Sequence, residues 1–487
     1  MAFLRACYGG RSTSERGAKN PSLKLILIIS TLILNKKGLL MKTKKGPGAL
    51  VKIMDEKEIK TDFIPRLNIS TGPLFILFEE LIRKKDIPDR ELIFSIMSEV
   101  DAIETFLDDY GASHNKKFFY FRELIGSIRW INITIFQGLH ILARMKSYNL
   151  DITEQVKNRF INDLKKTITL YLTALKTLTI ILQEEALKIG LEKQKAREKY
   201  GKKKMLIEIQ KKILPPDIEE DTVKGKEERA IGIMIKFLES AEMFNTFVCN
   251  VKSEEEITEE IMEKYRSIFH QIESLYDTFL KNTEIEYKYQ DFKTIRSYVA
   301  LSLHLLEMGK ALAHFYERHS DKVRRYSTSP YISNLASNVI IKETLREFIL
   351  NYSIYFLLAG KSTSIRIFKK MGMEADEFIY STKKLILYSY RIEDFHIRPV
   401  MPVTQIAGKY KLDTYLYYNR NRYNLKSPVE LAIAIPDIRE GLSKENVEIM
   451  IQGPRKSVNE VCEFLKERCG ASEKDIVCSL ISSYIKI

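Results

Sequence analysis

Seven apolar residues, Ile161, Leu164, Ile168, Leu172, Leu175, Leu178 and Leu182, follow one another at steps of three and four. A helix of 3.6 residues per turn gathers such a series onto one face, so this stretch predicts an amphipathic helix whose stripe needs a partner. Similar stripes run through 89–106, 119–145, 257–279, 295–315 and 340–358, with glycine and proline sparse between them. Residues 54–380 therefore read as two helical regions, 54–215 and 229–380. The linker between them is placed at 216–228, because Leu214-Pro215-Pro216-Asp217 breaks a helix and the acidic stretch 217–221 reads as loop. The strongly polar stretch 188–212 reads as a charged extension of the helix before it.

Chemistry is hard to find in these helices. They carry no glycine-rich phosphate loop, no HExxH and no Cys/His ligand spacing, so no cofactor and no metal is implied. Gly360-Lys361-Ser362 lacks the upstream glycine of a phosphate loop. His304 and His314 lie ten apart with no third ligand in view, and read as ordinary core or surface histidines. Glutamate clusters such as Glu254-Glu255-Glu256 read as solvated faces or helix-start charges.

The net charge is +14, from 78 lysines and arginines against 64 acidic residues. The lysines are interleaved with glutamates along helices and no recognition motif accompanies them, so no nucleic-acid partner is expected. Five scattered cysteines, Cys7, Cys249, Cys462, Cys469 and Cys478, have no CxxC spacing and read as reduced structural thiols of a cytoplasmic protein. The apolar run 25–34 is too short to span a bilayer, so no membrane association is expected. Residues 1–53 look foreign to the remainder. They read as a poorly ordered or mis-annotated extension, with translation starting at Met41 or Met54.

After residue 380 the pattern changes. Residues 385–390 are branched and aromatic and predict a strand. A short helix is expected over 397–407 with Gly408 as its stop, then a hairpin over 414–425 turning at 419–421. Ser427 and Pro428 have the chemistry of a helix cap and first helical residue, so a second helix is expected over 429–435 and an enlarged loop over 437–445. A strand over 447–451 and a final helix striped by Val458, Val461, Phe464 and Leu465 complete the order βαββαβα. The expected architecture is multidomain: a mainly α-helical N-terminal region plus a C-terminal α/β open-faced sandwich over 382–487. In that sandwich, four antiparallel strands carry helices on one face.

Two short blocks stand out in this last segment: Phe395-His396-Ile397-Arg398-Pro399, and Asn424-Leu425-Lys426-Ser427, whose serine lies 31 residues after the histidine. Neutral imidazole is nucleophilic near pH 7, helix-start amides favour anions, and arginine matches phosphate oxygens with a planar fork. With Lys409-Tyr410 and Tyr418-Asn419 between them in register, the blocks resemble HPr, the histidine-containing phosphocarrier of the bacterial phosphotransferase system. The resemblance implies that His396 accepts a phosphoryl group at Nδ1 from an enzyme I-like donor and that Arg398 stabilises it. It also implies that Ser427 is a regulatory position for HPr kinase, and that transfer is stoichiometric rather than independent turnover. Asp394 stands where the family usually has glycine, and its neighbouring negative charge would favour protonated His396 and repel phosphate. Pro402 falls inside the first expected helix, which must start near Pro399 or kink. The alternative function is a non-catalytic helical scaffold that keeps a degenerate HPr-like domain for docking proteins.

Overall fold

A computed structural model describes residues 53–192, 226–319, 330–337, 339–394, 400–419 and 421–474. The expected N-terminal extension up to residue 52, linker residues 216–225, Cys7 and Cys478 lie outside the described residues. The chain divides into two compact units, Met1–Phe63 and Ile64–Ile487. In the first, the helix Glu56–Glu58 opens with a capping box: Asp55 accepts the Glu58 N–H at 2.8 Å and Glu58 accepts the Asp55 N–H at 3.0 Å.

The second unit begins with four long helices, α1 (Ile64–Arg83), α2 (Arg90–Asp109), α3 (Phe119–Arg144) and α4 (Glu154–Ile189). Then come α5 (Lys226–Asn250), α6 (Glu259–Phe279), α7 (Asp291–His319) and α8 (Asn351–Lys370). Six of the seven stripe residues, Leu164 to Leu182, are buried on α4, which packs against α3. α7 sits at the centre against α3, α6 and α8. α8 and α5 approach closely because Gly360 has no side chain: a Cβ there would lie 2.6 Å from the Phe237 ring. Among the described residues no helix is long and apolar enough to cross a membrane.

Two expectations for the helices need correction. α4 does not continue into the polar stretch after Lys188; it stops at Ile189, where Gly190 turns left-handed at φ 97° and its N–H reaches back to the last turn. The stripe at 340–358 is not one regular helix either. Thr344–Leu350 forms a π-helical turn before α8, and that wider turn lets Leu345, Phe348, Ile349 and Leu350 all face the core.

The C-terminal part contains β1 (Tyr380–Leu387), α9 (Val400–Gly408), β2 (Tyr415–Tyr418) and β3 (Asn421–Asn424). It continues with α10 (Pro428–Leu442), β4 (Val447–Pro454), α11 (Arg455–Cys469) and β5 (Ser472–Lys474). The strands pair antiparallel in the order β3-β2-β4-β1-β5, five strands where four are expected. Leu385, Leu387, Leu416, Ile449 and Ile451 join Val403, Leu431, Ile438, Val458 and Val461 in one core between the sheet and α9 to α11. Each such aliphatic contributes about 1.5–3 kcal/mol by leaving water.

Here too the elements differ from their expected bounds. β1 starts at Tyr380 and ends at Leu387, because its eight residues pair with the whole of β4, from Tyr380 with Pro454 to Leu387 with Val447. Residues 437–442 are not loop. α10 runs through Pro436 to Leu442, since Leu431, Ala434, Ile438 and Leu442 are buried along one face and outweigh the lost backbone donor.

Candidate functional site

His396 and Arg398, the expected phosphoryl acceptor and its stabiliser, lie outside the described residues, which stop at Asp394 and resume at Val400. The flanks are defined. Asp394 is not a bare carboxylate: Arg391 Nε meets it at 2.5 Å, within the 3-10 segment Ser389–Asp394. The Cys469 thiol, at the end of α11, donates to the Asp394 carbonyl at 3.8 Å. Pro402 is the third described residue of α9, near the start that the helix must have if the proline is to cost little.

The far end of α9 is held by the Lys409-Tyr410 pair. Lys409 Nζ lies 3.0 Å from Glu460 on α11, and the Tyr410 hydroxyl donates to the same carboxylate. Burial first, and then this bond, push the Tyr410 phenol up to about 12. The bond to Tyr410 holds the Glu460 carboxyl below its usual range.

The second block is built around the start of α10. Ser427 Oγ accepts the Glu430 N–H at 3.2 Å, the bond expected of a helix cap, and Pro428 follows as the first helical residue. Glu430, which lies three residues beyond the serine, accepts the Asn424 N–H at 2.7 Å and ties β3 to the helix start. Leu425 is fully buried in the core, and Lys426 Nζ donates to the Lys411 carbonyl at 2.8 Å. Ser427 itself is half-buried and its oxygen is already engaged.

The second face of the sheet is not left open. Along β1, Tyr380, Thr382 and Lys384 alternate with the core residues Leu385 and Leu387, and this second set meets α5. Thr382 Oγ1 lies 3.2 Å from Thr246 Oγ1, and Lys384 Nζ donates to Asn250 Oδ1 at 2.5 Å. The spacing matches: two strand residues advance roughly 6.6 Å and four helical residues about 6 Å, so both pairs form at once. Lys361, from α8, closes the junction. Its Nζ lies 2.7 Å from the Glu242 carboxylate of α5 and donates to the Tyr380 carbonyl at 2.9 Å. Burial raises the nearby Glu239 carboxyl, and Arg422 of β3 opposes that shift. None of these contacts was visible as a motif; the period of two on β1 was the available signal, because it leaves a polar-aromatic face with no stated partner.

His314 is an ordinary packed residue, stacked on Trp130 at 3.7 Å between ring centres and bonded to Glu259 at 2.8 Å. His304 is placed differently. Its ring centre lies 4.2 Å from that of His140, a neighbour that the sequence gives no reason to expect. Comparison with protein-family models, with curated proteins and with solved structures finds no match to this chain.

Proposed function

We propose that residues 382–487 act as an HPr-like phosphoryl-accepting or phosphoryl-sensing module, with His396 as acceptor and the helical region as the part that reads its state. The observation that carries this reading is that the second sequence block leads directly into a helix start. α10 begins at Pro428 under the Ser427 cap, and the described part of α9 opens at Val400, beyond the first block. A helix start presents unpaired amides and a partial positive charge to an anion. The element order βαββαβα agrees with the resemblance, and β5 is an addition at one edge. In the reaction, His396 Nδ1 attacks phosphorus, the new P–N bond forms as the donor's phosphoryl bond breaks, and Arg398 balances the oxygens. The pairing of Asp394 with Arg391 offsets the carboxylate that would otherwise oppose this step. The carrier is stoichiometric, and its partners are an enzyme I-like donor and, for Ser427, HPr kinase.

The test is incubation with phosphoenolpyruvate and enzyme I, with His396→Ala alongside. An acid-labile, alkali-stable phosphate that disappears in the variant supports the proposal. A folded chain that takes no label from its own organism's enzyme I favours the second reading, a docking scaffold. The observation behind that reading is the polar seam between β1 and α5, which ties the sheet to the helices without any phosphate.

A further inference from the structure

The helical region contains a cleft of about 700 Å³ between the end of α3, the end of α6 and the first half of α7. Its loop wall is pinned, because Asn149 donates from its backbone to Ser297 Oγ and from its side chain to Thr294 Oγ1, each at 3.0 Å. The charges on its walls are unevenly matched. Every lining carboxylate has a partner: Arg296 lies 2.7 Å from Glu273 and grips both oxygens of Asp277 at 2.9 Å, while Glu286 accepts from the Tyr276 hydroxyl and the Asn282 N–H. The cations facing them are left over. Among the described residues, the Arg144 guanidinium makes no hydrogen bond or ion pair, and the Lys293 amine has only the Tyr287 ring, 5.2 Å away. The Tyr148 hydroxyl is also without a partner among the described residues, in a side chain that burial pushes up to about 12.

Behind Arg144 lie further basic side chains. His140 packs ring to ring with His304, and Arg90, whose buried Nε has no partner, lies over the Phe136 ring at 4.6 Å. Burial, and then His304, Arg90 and Arg144, push the His140 imidazole down to about 3. A partly buried guanidinium without a counter-charge, with an unpaired lysine amine on the same cleft, argues for a ligand that supplies the missing charge.

We propose that this cleft is a binding site for a small phosphomonoester. Arg144 offers the planar fork, Lys293 and Tyr148 add donors, and the dianion gives Arg144 and Lys293 a counter-charge. The volume suits a ligand of sugar-phosphate to mononucleotide size. The proposal is independent of His396, which lies in a different part of the chain.

The experiment is calorimetric titration of the full chain with glycerol 3-phosphate, inorganic phosphate and lactate. Glycerol 3-phosphate should bind saturably, more weakly as sodium chloride rises from about 0.05 to 0.5 M. Inorganic phosphate should compete for the same site, and lactate should bind about ten-fold more weakly or worse. Arg144→Gln and Lys293→Gln should each lower the affinity by about ten-fold or more, while His396→Ala leaves it unchanged. If Arg144→Gln fails to fold, Lys293→Gln, at an exposed position, decides the matter alone. No saturable binding to the folded chain overturns the proposal, as does binding that both charge variants leave intact or that His396→Ala abolishes.

Discussion

The helical region and the C-terminal part of the chain place their candidate residues in opposite ways. In the C-terminal part the candidate residues are close in sequence, two short blocks whose histidine and serine are 31 residues apart, and the second block leads into the helix that follows it. In the helical region the cleft is assembled from residues as far apart as His140 and His304, which meet only because α7 packs along α3. Linear spacing reveals the first kind of site and hides the second. The difference also shows in charge. The defined part of the C-terminal site is internally paired, as Arg391 with Asp394 and Glu460 with Lys409 and Tyr410, whereas the cleft leaves cations unmatched.

The largest effect should come from breaking the seam that joins the two regions. Lys361→Ala leaves Glu242, whose side chain is only 7% exposed, without its counter-charge, and removes the bond to β1. Loss of one partner of a buried pair costs about 3–5 kcal/mol, which urea denaturation will measure. Replacing both Lys361 and Glu242 with methionine should recover most of that loss. If the single variant is as stable as the parent, the seam does not hold the sheet to α5.

A smaller effect tests the second block. Ser427→Ala should lower stability by about 1 kcal/mol, because the Glu430 N–H loses its acceptor. Ser427→Asp should keep most of it, since aspartate caps as well as serine. A thermal melt that ranks alanine equal to aspartate contradicts the capping role and leaves Ser427 free for regulation alone.

The effect that is smallest at neutral pH concerns the cleft, and its sign is fixed by linkage. Because the folded-state pKa of His140 lies near 3, below its ordinary value, the unfolded chain binds a proton there that the folded chain refuses. That contribution favours unfolding progressively as pH falls from about 6.5 toward 3, and is absent above it. His140→Gln should therefore flatten stability against pH across this window. A profile identical to the parent's would show that the ring titrates normally and that the surrounding cations are not felt.

Local periodicity carried much of the fold. The 3.6-residue stripe of α4, the hairpin turning at Asn419 and the Ser427-Pro428 helix start are each decided within a few residues, so they are legible in a linear chain. Misjudged elements were those decided by distant partners. β1 takes its length from β4, β5 exists because β1 has a free edge, and α10 crosses Pro436 because its far end is buried. Of the candidate site, the sequence exposed the blocks and the cap; the pairing of Asp394 with Arg391, three residues apart, is set by the local 3-10 segment Ser389–Asp394.

By itself, then, the sequence determined most of the helix and strand stretches and where the two blocks fall, because backbone propensity and side-chain period act over one or two turns. Tertiary packing alone decided that the second face of the sheet lies on α5, that Lys361 links three elements, and that Arg144 and Lys293 line a common cleft. Charge pairing depends on distance through space, and only the packed helices bring residues more than a hundred positions apart within reach of one another.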